Sequence, residues 1–378
     1  MKEIGIYIHI PFCIQKCYYC DFCSFDKLQN KQAEYVDALI KEIKNTHNKS
    51  ELLIKTVYIG GGTPSILNAN ELKQVMEAIK TNFLLSKDCE ITVEMNPGTV
   101  TKEKLQIYKD SGINRLSIGL QSTNDEILKE LGRIHNYKQF EDIYEEARAL
   151  GFNNINVDLM IGLPNQTIDD VSKSLKDIIQ KNPEHISVYS LILEDDTKLK
   201  NLIEEGNLSL PDEDTERAMY WTVKNTLEKN GYNHYEISNF SKLGYESKHN
   251  TDCWNQKEYI GFGIAAHSYF NNIRYSNICD INEYVKNINS KDFEKNVIIH
   301  EIQEEQDKMN EYMILGLRMI KGVNEQIFKE KFSKDVNDVY KKSIEKLINL
   351  ELISNEKGII KLTKKGIDFA NIVWEEFV

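Results

Sequence analysis

The sequence predicts an α/β protein: a partial (β/α)6 barrel with a C-terminal α+β, winged-helix-like appendage. Three observations predict it. Short β-rich runs alternate with longer amphipathic stretches from residue 4 to about 192, the pattern of βα units around a parallel sheet. Six such units are present, too few for a closed eight-unit barrel. All six prolines (Pro11, Pro64, Pro97, Pro164, Pro183, Pro211) precede residue 212, so the texture changes where the repeat ends.

The strands are expected at Ile4–Ile10, Thr56–Gly60, Glu90–Met95, Arg115–Leu120, Asn154–Ile161 and His185–Ile192. Each is rich in β-branched residues and bounded by turn formers. Helical periodicity lies between them, over Lys31–Thr46, Asn70–Phe83, Lys102–Ser111, Lys138–Leu150 and Ile168–Gln180. In such folds the site gathers where the C-terminal ends of the strands enter their loops. Those loops read Pro11-Phe12-Cys13, Gly60-Gly61-Gly62-Thr63-Pro64, Glu94-Met95-Asn96-Pro97-Gly98, Gly119-Leu120-Gln121-Ser122 and Gly162-Leu163-Pro164. Proline just beyond a strand end fixes φ and so helps set the loop's shape.

The expected organisation is a barrel over residues 1–211, an extension over 212–300 and a winged-helix-like domain over 301–378. The extension begins with a helix, Asp212–Asn230, and continues into an aromatic-rich stretch, Tyr232–Tyr269, that reads as irregular or β. The last part has a helix over Val336–Leu350 and a hairpin over Leu352–Leu362.

Composition narrows the function. The 378 residues carry 47 Lys+Arg against 59 Asp+Glu, a net charge of -12, and 41% are hydrophobic. That is enough for a large core, and it argues against disorder and small disulfide scaffolds. An acidic chain lacks the footprint of a phosphate-backbone binder, so no nucleic acid partner is expected and the wing is read as structural or protein-contacting. The N-terminus has no signal-peptide pattern and no run approaches the roughly 18 apolar residues of a spanning helix, so a soluble, cytoplasmic protein with reduced cysteines is expected.

Of seven cysteines, Cys13, Cys17, Cys20 and Cys23 fall within eleven residues. The first three are spaced C-x3-C-x2-C, which lets three thiolates converge on one metal centre. One reading is a structural zinc with Cys23 as fourth ligand. The other is a [4Fe-4S] cluster on three cysteines, its fourth iron open to an exogenous ligand.

The run Tyr7-Ile-His-Ile-Pro-Phe-Cys-Ile-Gln-Lys-Cys-Tyr-Tyr-Cys20 resembles the opening of the radical S-adenosylmethionine (SAM) superfamily. It is most similar to the branch of anaerobic coproporphyrinogen III dehydrogenases and HemW-type heme chaperones. The resemblance implies a [4Fe-4S] cluster on Cys13, Cys17 and Cys20, with SAM chelating the open iron through its amine and carboxylate. It further implies reductive cleavage of SAM to methionine and a 5′-deoxyadenosyl radical, fed by a flavodoxin or ferredoxin-type electron donor. By the same resemblance Gly61, Gly62 and Thr63 form the glycine motif for SAM's amino group, and Glu94 holds the ribose hydroxyls. Gln121, Arg133 and Asp158 are further SAM contacts, and Tyr7 and Tyr19 are its aromatic neighbours.

Two features point to the chaperone side. The dehydrogenases carry C-x3-C-x2-C-x-C and a substantial preceding segment; here Phe22 stands two after Cys20, and only twelve residues precede Cys13. Cys23 is read as a free thiol near the cluster. The second feature is His249-Asn250-Thr251-Asp252-Cys253-Trp254, similar to the chaperones' H-N-x-x-Y-W signature with Cys253 in place of the family's Tyr. The resemblance makes His249 a heme-ligand candidate, and the alternative is a hydrogen-bonded histidine holding a loop against the barrel. His9 is read as a cluster neighbour. The implied function is binding heme and passing it to acceptor apoproteins. The alternatives are oxidative decarboxylation of coproporphyrinogen III and a zinc-stabilised barrel binding another ligand.

Overall fold

Each strand alternates apolar and polar residues, and the polar set points inward. Val57, Ile59, Ile91, Val93, Leu116, Ile118, Val157 and Ile186 are buried in one core with Leu39 and Val75 of the surrounding helices. Their alternates (Thr56, Glu90, Thr92, Arg115, Ser117, Asn156, His185 and Ser187) are also buried, yet polar. Successive side chains of a strand point to opposite faces, so the helices cover an apolar exterior and the lumen is polar.

The computed structural model describes residues 1–46 and 49–378. Six parallel strands, β1 (Lys2–Ile10), β2 (Leu52–Gly61), β3 (Leu84–Met95), β4 (Arg115–Gln121), β5 (Ile155–Ile161) and β6 (His185–Ser190), match the expected order. They are joined by α1 (Gln32–Asn45), α2 (Ala69–Asn82), α3 (Lys102–Asp110), α4 (Asp125–Glu130), α5 (Tyr137–Ala149) and α6 (Ile168–Lys181). Their starts are set locally: Asn68, Thr101, Asn124, Asn136 and Thr167 each accept a backbone N–H of the following first turn, the usual N-cap arrangement.

After α7 (Lys198–Glu204) and α8 (Glu213–Lys229) come β7 (Asn233–Glu236), β8 (Asn239–Ser241), α9 (Lys248–Trp254), β9 (Tyr259–Phe262), β10 (His267–Phe270), β11 (Ile273–Asn277), α10 (Ile281–Asn289) and β12 (Val297–Ile302). All these strands join one twelve-stranded sheet, ordered β12-β11-β10-β9-β1-β2-β3-β4-β5-β6-β8-β7. Strand β9 pairs parallel to β1, and the remaining added strands pair antiparallel at the two edges. Glu42 of α1 stitches one edge to the barrel by accepting from Gly263 N (2.8 Å), Asn277 Nδ2 (2.7 Å) and Tyr284 Oη (2.6 Å). The reading of Tyr232–Tyr269 as irregular or β needs correction at α9, a helix capped by the Ser247 side chain on Asn250 N.

The C-terminal part has its own core, including Met313, Phe328, Phe332, Leu347 and Ile360. It comprises α11 (Glu305–Gly316), α12 (Glu325–Phe332) and α13 (Val336–Asn349), a sheet of β13 (Val323–Asn324), β14 (Ile353–Glu356) and β15 (Ile359–Leu362), and two short helices, α14 (Lys364–Asp368) and α15 (Ala370–Glu375). Helices followed by a hairpin wing are the expected arrangement. This part grips the residues around α9. Gln256 Nε2 donates to Lys308 O (3.0 Å) and Glu311 Oε2 (2.8 Å), and the Arg318 guanidinium lies 4.5 Å from the Trp254 ring centroid. Arg318 also pairs at 3.0 Å with Glu236, which is fully buried.

Removing Arg318 would leave Glu236 as a buried charge without its cation. R318M is expected to cost about 3 kcal/mol in urea denaturation, and E236L/R318M to recover most of that loss. A single-variant loss no larger than the double's would show that the pair does not hold this joint.

Candidate functional site

The loop carrying the clustered cysteines closes at its base, where Phe25 N donates to Pro11 O (2.7 Å) and Cys13 N to Phe25 O (2.9 Å). His9 braces the base from below. Its Nε2 donates to Cys23 O (2.9 Å), which leaves Nδ1 to accept from Tyr7 Oη (3.1 Å), a tautomer assigned from the hydrogen-bond network. At its far end the loop docks on the turn after α4: Tyr18 N donates to Leu131 O (3.0 Å), and Gln15 Nε2 to Gly132 O (2.9 Å). Gly132 has φ +71°, and a Cβ there would lie 2.7 Å from the Tyr18 ring, so this contact requires glycine. The same turn delivers Arg133, whose Nη1 is 3.3 Å from Cys17 Sγ.

The triple glycine runs alongside that loop. Gly62 N donates to Ile10 O and Thr63 N to Phe12 O, both at 2.8 Å. A Cβ on Gly62 would meet Phe12 O at 2.9 Å and Cys13 Sγ at 3.0 Å. Thr63 Oγ1 in turn donates to Cys13 Sγ (3.6 Å). Burial pushes the Cys13 and Cys20 thiols up, so their thiolate forms require a nearby cation such as a bound metal.

Below the loops, a cavity of about 360 Å³ descends into the polar lumen. Glu94 stands on its wall, accepting from Tyr58 Oη (2.8 Å) and Gly61 N (3.3 Å). Burial, with a smaller contribution from Asp158, pushes the Glu94 carboxyl up to about 7. Burial also raises Asp158, which accepts from Asn156 Nδ2 (2.7 Å) and Ser117 Oγ (3.2 Å). Gln121 reaches the wall from a left-handed backbone, φ 73°, at the irregular end of β4. A non-glycine residue held there is a strained position of the kind concentrated at functional sites.

The cavity thus brings together Cys13, Cys17, Cys20, Tyr19, Gly61, Gly62, Thr63, Glu94, Gln121, Arg133 and Asp158. Tyr7 and His249 are not on its lining. Tyr7 packs behind Tyr58, ring centroids 6.4 Å apart. His249 projects from α9 into the lower barrel, its Nδ1 2.8 Å from Thr56 Oγ1 and its ring stacked on Tyr58 at 5.2 Å. It is 7% exposed, and burial, followed by the Arg115 charge, lowers it to about 4. In this arrangement it is a neutral histidine fixed to the barrel. Its neighbour Asn250 does line the cavity, so α9 forms part of the floor.

Sequence reasoning passed over Arg115, 2% exposed on the cavity wall, with its Nε lacking a partner among the described residues. Its charge acts on both Glu94 and Asp158. The signal was available: a charged residue in phase with Ser117 and Gly119 on a strand whose other face is apolar.

Cys23 is corrected. It is not a free thiol but is joined to Cys279, which follows β11. The two are 256 residues apart, a separation over which sequence spacing carries no information about contact.

Among the described residues no three His, Cys, Asp or Glu side chains converge as ligands of a single ion. The three cysteines instead border one cavity, with Arg133 and Thr63 supplying donors to sulfur and Gly62 leaving room beside Cys13. That donor set suits a centre larger than one ion, bearing thiolate ligands.

Residues 7–178 match the radical SAM superfamily, and residues 303–369 match the HemN C-terminal domain. The fold superimposes with a TM-score of 0.86, at 22% identity, on a structure described as "Coproporphyrinogen III oxidase (HemN) from Escherichia coli is a Radical SAM enzyme", covering 100% of this chain and 90% of that one. Fold and sequence together define a radical SAM protein, a class that carries a [4Fe-4S] cluster and SAM. Two curated relatives narrow the class. The heme chaperone HemW of Lactococcus lactis subsp. lactis is 39% identical over 100% of this chain and 98% of its own length, and that of Bacillus subtilis is 39% identical over 98% of each. The chain belongs to the HemW family.

The raised Glu94 carboxyl yields a signed prediction. From the ordinary value of 4.5 up to about 7 the folded chain binds the extra proton, so this group's contribution to stability falls as pH rises through that window. E94Q stays neutral. Without SAM its Tm should exceed wild type at pH 8 and match it near pH 4.5. SAM affinity should drop by about tenfold or more, because an amide cannot accept two diol hydrogen bonds as a carboxylate does. A Tm difference that is largest at the acid end would contradict this reading of Glu94.

Proposed function

We propose that this chain binds heme and delivers it to acceptor apoproteins, with a [4Fe-4S] cluster and SAM at the mouth of its lumen assisting or regulating the step. The observation that carries the proposal is the relationship to proteins named heme chaperone HemW, at 39% identity over 98% of their length. Cys13, Cys17 and Cys20 would hold the cluster. When bound, it supplies an open iron for SAM's amine and carboxylate and one electron for reductive cleavage, drawn from a flavodoxin or ferredoxin-type donor.

The chain's own residues have separable tasks. Gly61 and Gly62 leave backbone exposed to SAM's amino group, and Thr63 orients Cys13. Arg133 sits beside Cys17 where it can meet the methionyl carboxylate. Glu94 accepts from the ribose hydroxyls, while Gln121, Asp158, Tyr19 and Tyr7 shape the rest of the pocket and its backing.

The lumen cavity is near the lower end of small-molecule sites, and α9 closes its floor. Heme is therefore assigned to the far side of α9, where a wider cavity of about 680 Å³ is lined by Lys55, Thr56, Lys248, Thr251 and Lys321. Lysines there suit propionate carboxylates. His249 hangs between Thr56 on that cavity and Tyr58 on the lumen, so a turn of α9 that breaks the Thr56 bond would present its neutral imidazole, the ligating form, to iron.

H249A should weaken heme binding by about tenfold or more in a Soret titration while leaving cluster iron unchanged. An unaltered titration would move the heme ligand elsewhere. Incubation of reconstituted protein with coproporphyrinogen III, SAM and reductant should give no protoporphyrinogen IX; turnover would replace the chaperone reading with the dehydrogenase one.

A further inference from the structure

Four cysteines lie outside the proposed cluster triad, and they divide into two pairs. Burial pushes the Cys89 and Cys253 thiols up to about 12, which leaves them protonated and unreactive near neutral pH. Cys23 and Cys279 are joined, with Cα atoms 6.3 Å apart, inside the roughly 4.4–6.8 Å span of unstrained bridges. Each end is anchored by backbone hydrogen bonds. Cys23 sits at the closed base of the cysteine loop, its carbonyl held by His9 Nε2 at 2.9 Å. The residue before Cys279 is pinned on both sides: Ala265 N donates to Ile278 O (3.0 Å), and Ile278 N donates to Asn296 O (2.8 Å). Cys279 itself is solvent-exposed.

We propose that Cys23 and Cys279 form a reversible redox latch that keeps Cys23 away from the three cluster cysteines. Cys23 is three residues from Cys20, so under oxidising conditions it is the nearest outside thiol able to capture a cluster ligand. A thiol on the facing element, anchored within bridging distance, competes for it. The step balances with a low-molecular-weight disulfide as oxidant. One protein thiolate attacks that disulfide and expels a small thiol, then the second protein thiolate displaces the other. Two cysteine sulfurs are oxidised, and one small disulfide is reduced to two thiols. An excess of small thiol reverses the step. Such a pair is consistent with a reducing compartment, where disulfides are transient and redox-sensing.

Pairing needs only the two cysteines, whereas protection rests on the cluster reading above; the test separates them. The reconstituted full chain is equilibrated anaerobically in glutathione buffers from reduced to oxidised, then alkylated, digested and mapped by mass. In wild type, Cys23 and Cys279 should lose alkylation together as a linked peptide pair, with iron per chain unchanged. In C279S, Cys23 should instead be found joined to glutathione or to Cys17 or Cys20, and iron per chain should fall by about two-fold or more after an oxidant pulse. C23S/C279S, which lacks the competing thiol, should retain iron like wild type and serves as the check that the C279S loss is not misfolding. Cys23 and Cys279 alkylated independently across all buffers would overturn the latch. C279S keeping its iron would overturn the protective role, and a wild-type chain that never takes up iron would overturn the cluster reading while leaving the pairing map to stand or fall alone.

Discussion

The structure depends on a barrel whose lumen is polar. Burying Glu90, Glu94, Arg115, Asn156, Asp158 and His185 within one sheet is costly unless each finds a partner. Neighbouring strands supply them. The parallel register sets Glu94 beside Ser117, Ser117 beside Asn156 and Asp158 beside Ser187. Asn156 then joins Ser117 (2.8 Å), Asp158 (2.7 Å) and His185 (2.6 Å), and His185 passes on to Tyr235 (2.7 Å). Shifting one strand by a residue would turn its apolar face into the lumen and break this chain at several points. The same network that fixes register leaves a wall of carboxylate, hydroxyl and guanidinium groups facing a ligand at the strand ends.

The floor extends that logic. An open sheet leaves the lower lumen to be closed, and α9 closes it with His249 bonded to Thr56 and Asn250 facing the cavity. A seven-residue helix has little stability of its own, and it is gripped from behind by Gln256 and Arg318 contacts across the joint with the C-terminal part. The acidic winged-helix-like part therefore has a physical task unrelated to nucleic acid: it buttresses the floor of the lumen. Its contacts also make that floor the natural hinge between the SAM cavity and the wider cavity beyond it.

Much of this was legible in the residues. Strand periodicity with proline and glycine at strand ends located the loops, and reading those loops brought eleven of the candidate side chains to one cavity. Three things stayed hidden for stated reasons. The helix α9 is too short for periodicity to register, and only its cap, Ser247 followed by Asn250, marks it. Arg115 was counted as part of a strand, because a residue's charge becomes informative only once its face is known to be the lumen. The Cys23–Cys279 link joins elements brought together by sheet topology, when β9 folds back beside β1. Tyr7 and His249 show the converse: a motif names residues, yet packing decides whether they face the ligand or brace the groups that do.

The central claim is that Cys13, Cys17 and Cys20 hold a cluster with one iron open to SAM at the mouth of this lumen. Electron paramagnetic resonance of the anaerobically reconstituted, reduced protein tests it most directly, read alongside iron content. About four irons per chain and a cluster signal that changes when SAM is added are predicted. A chain holding one zinc and no iron, or a four-iron signal indifferent to SAM, would contradict the account.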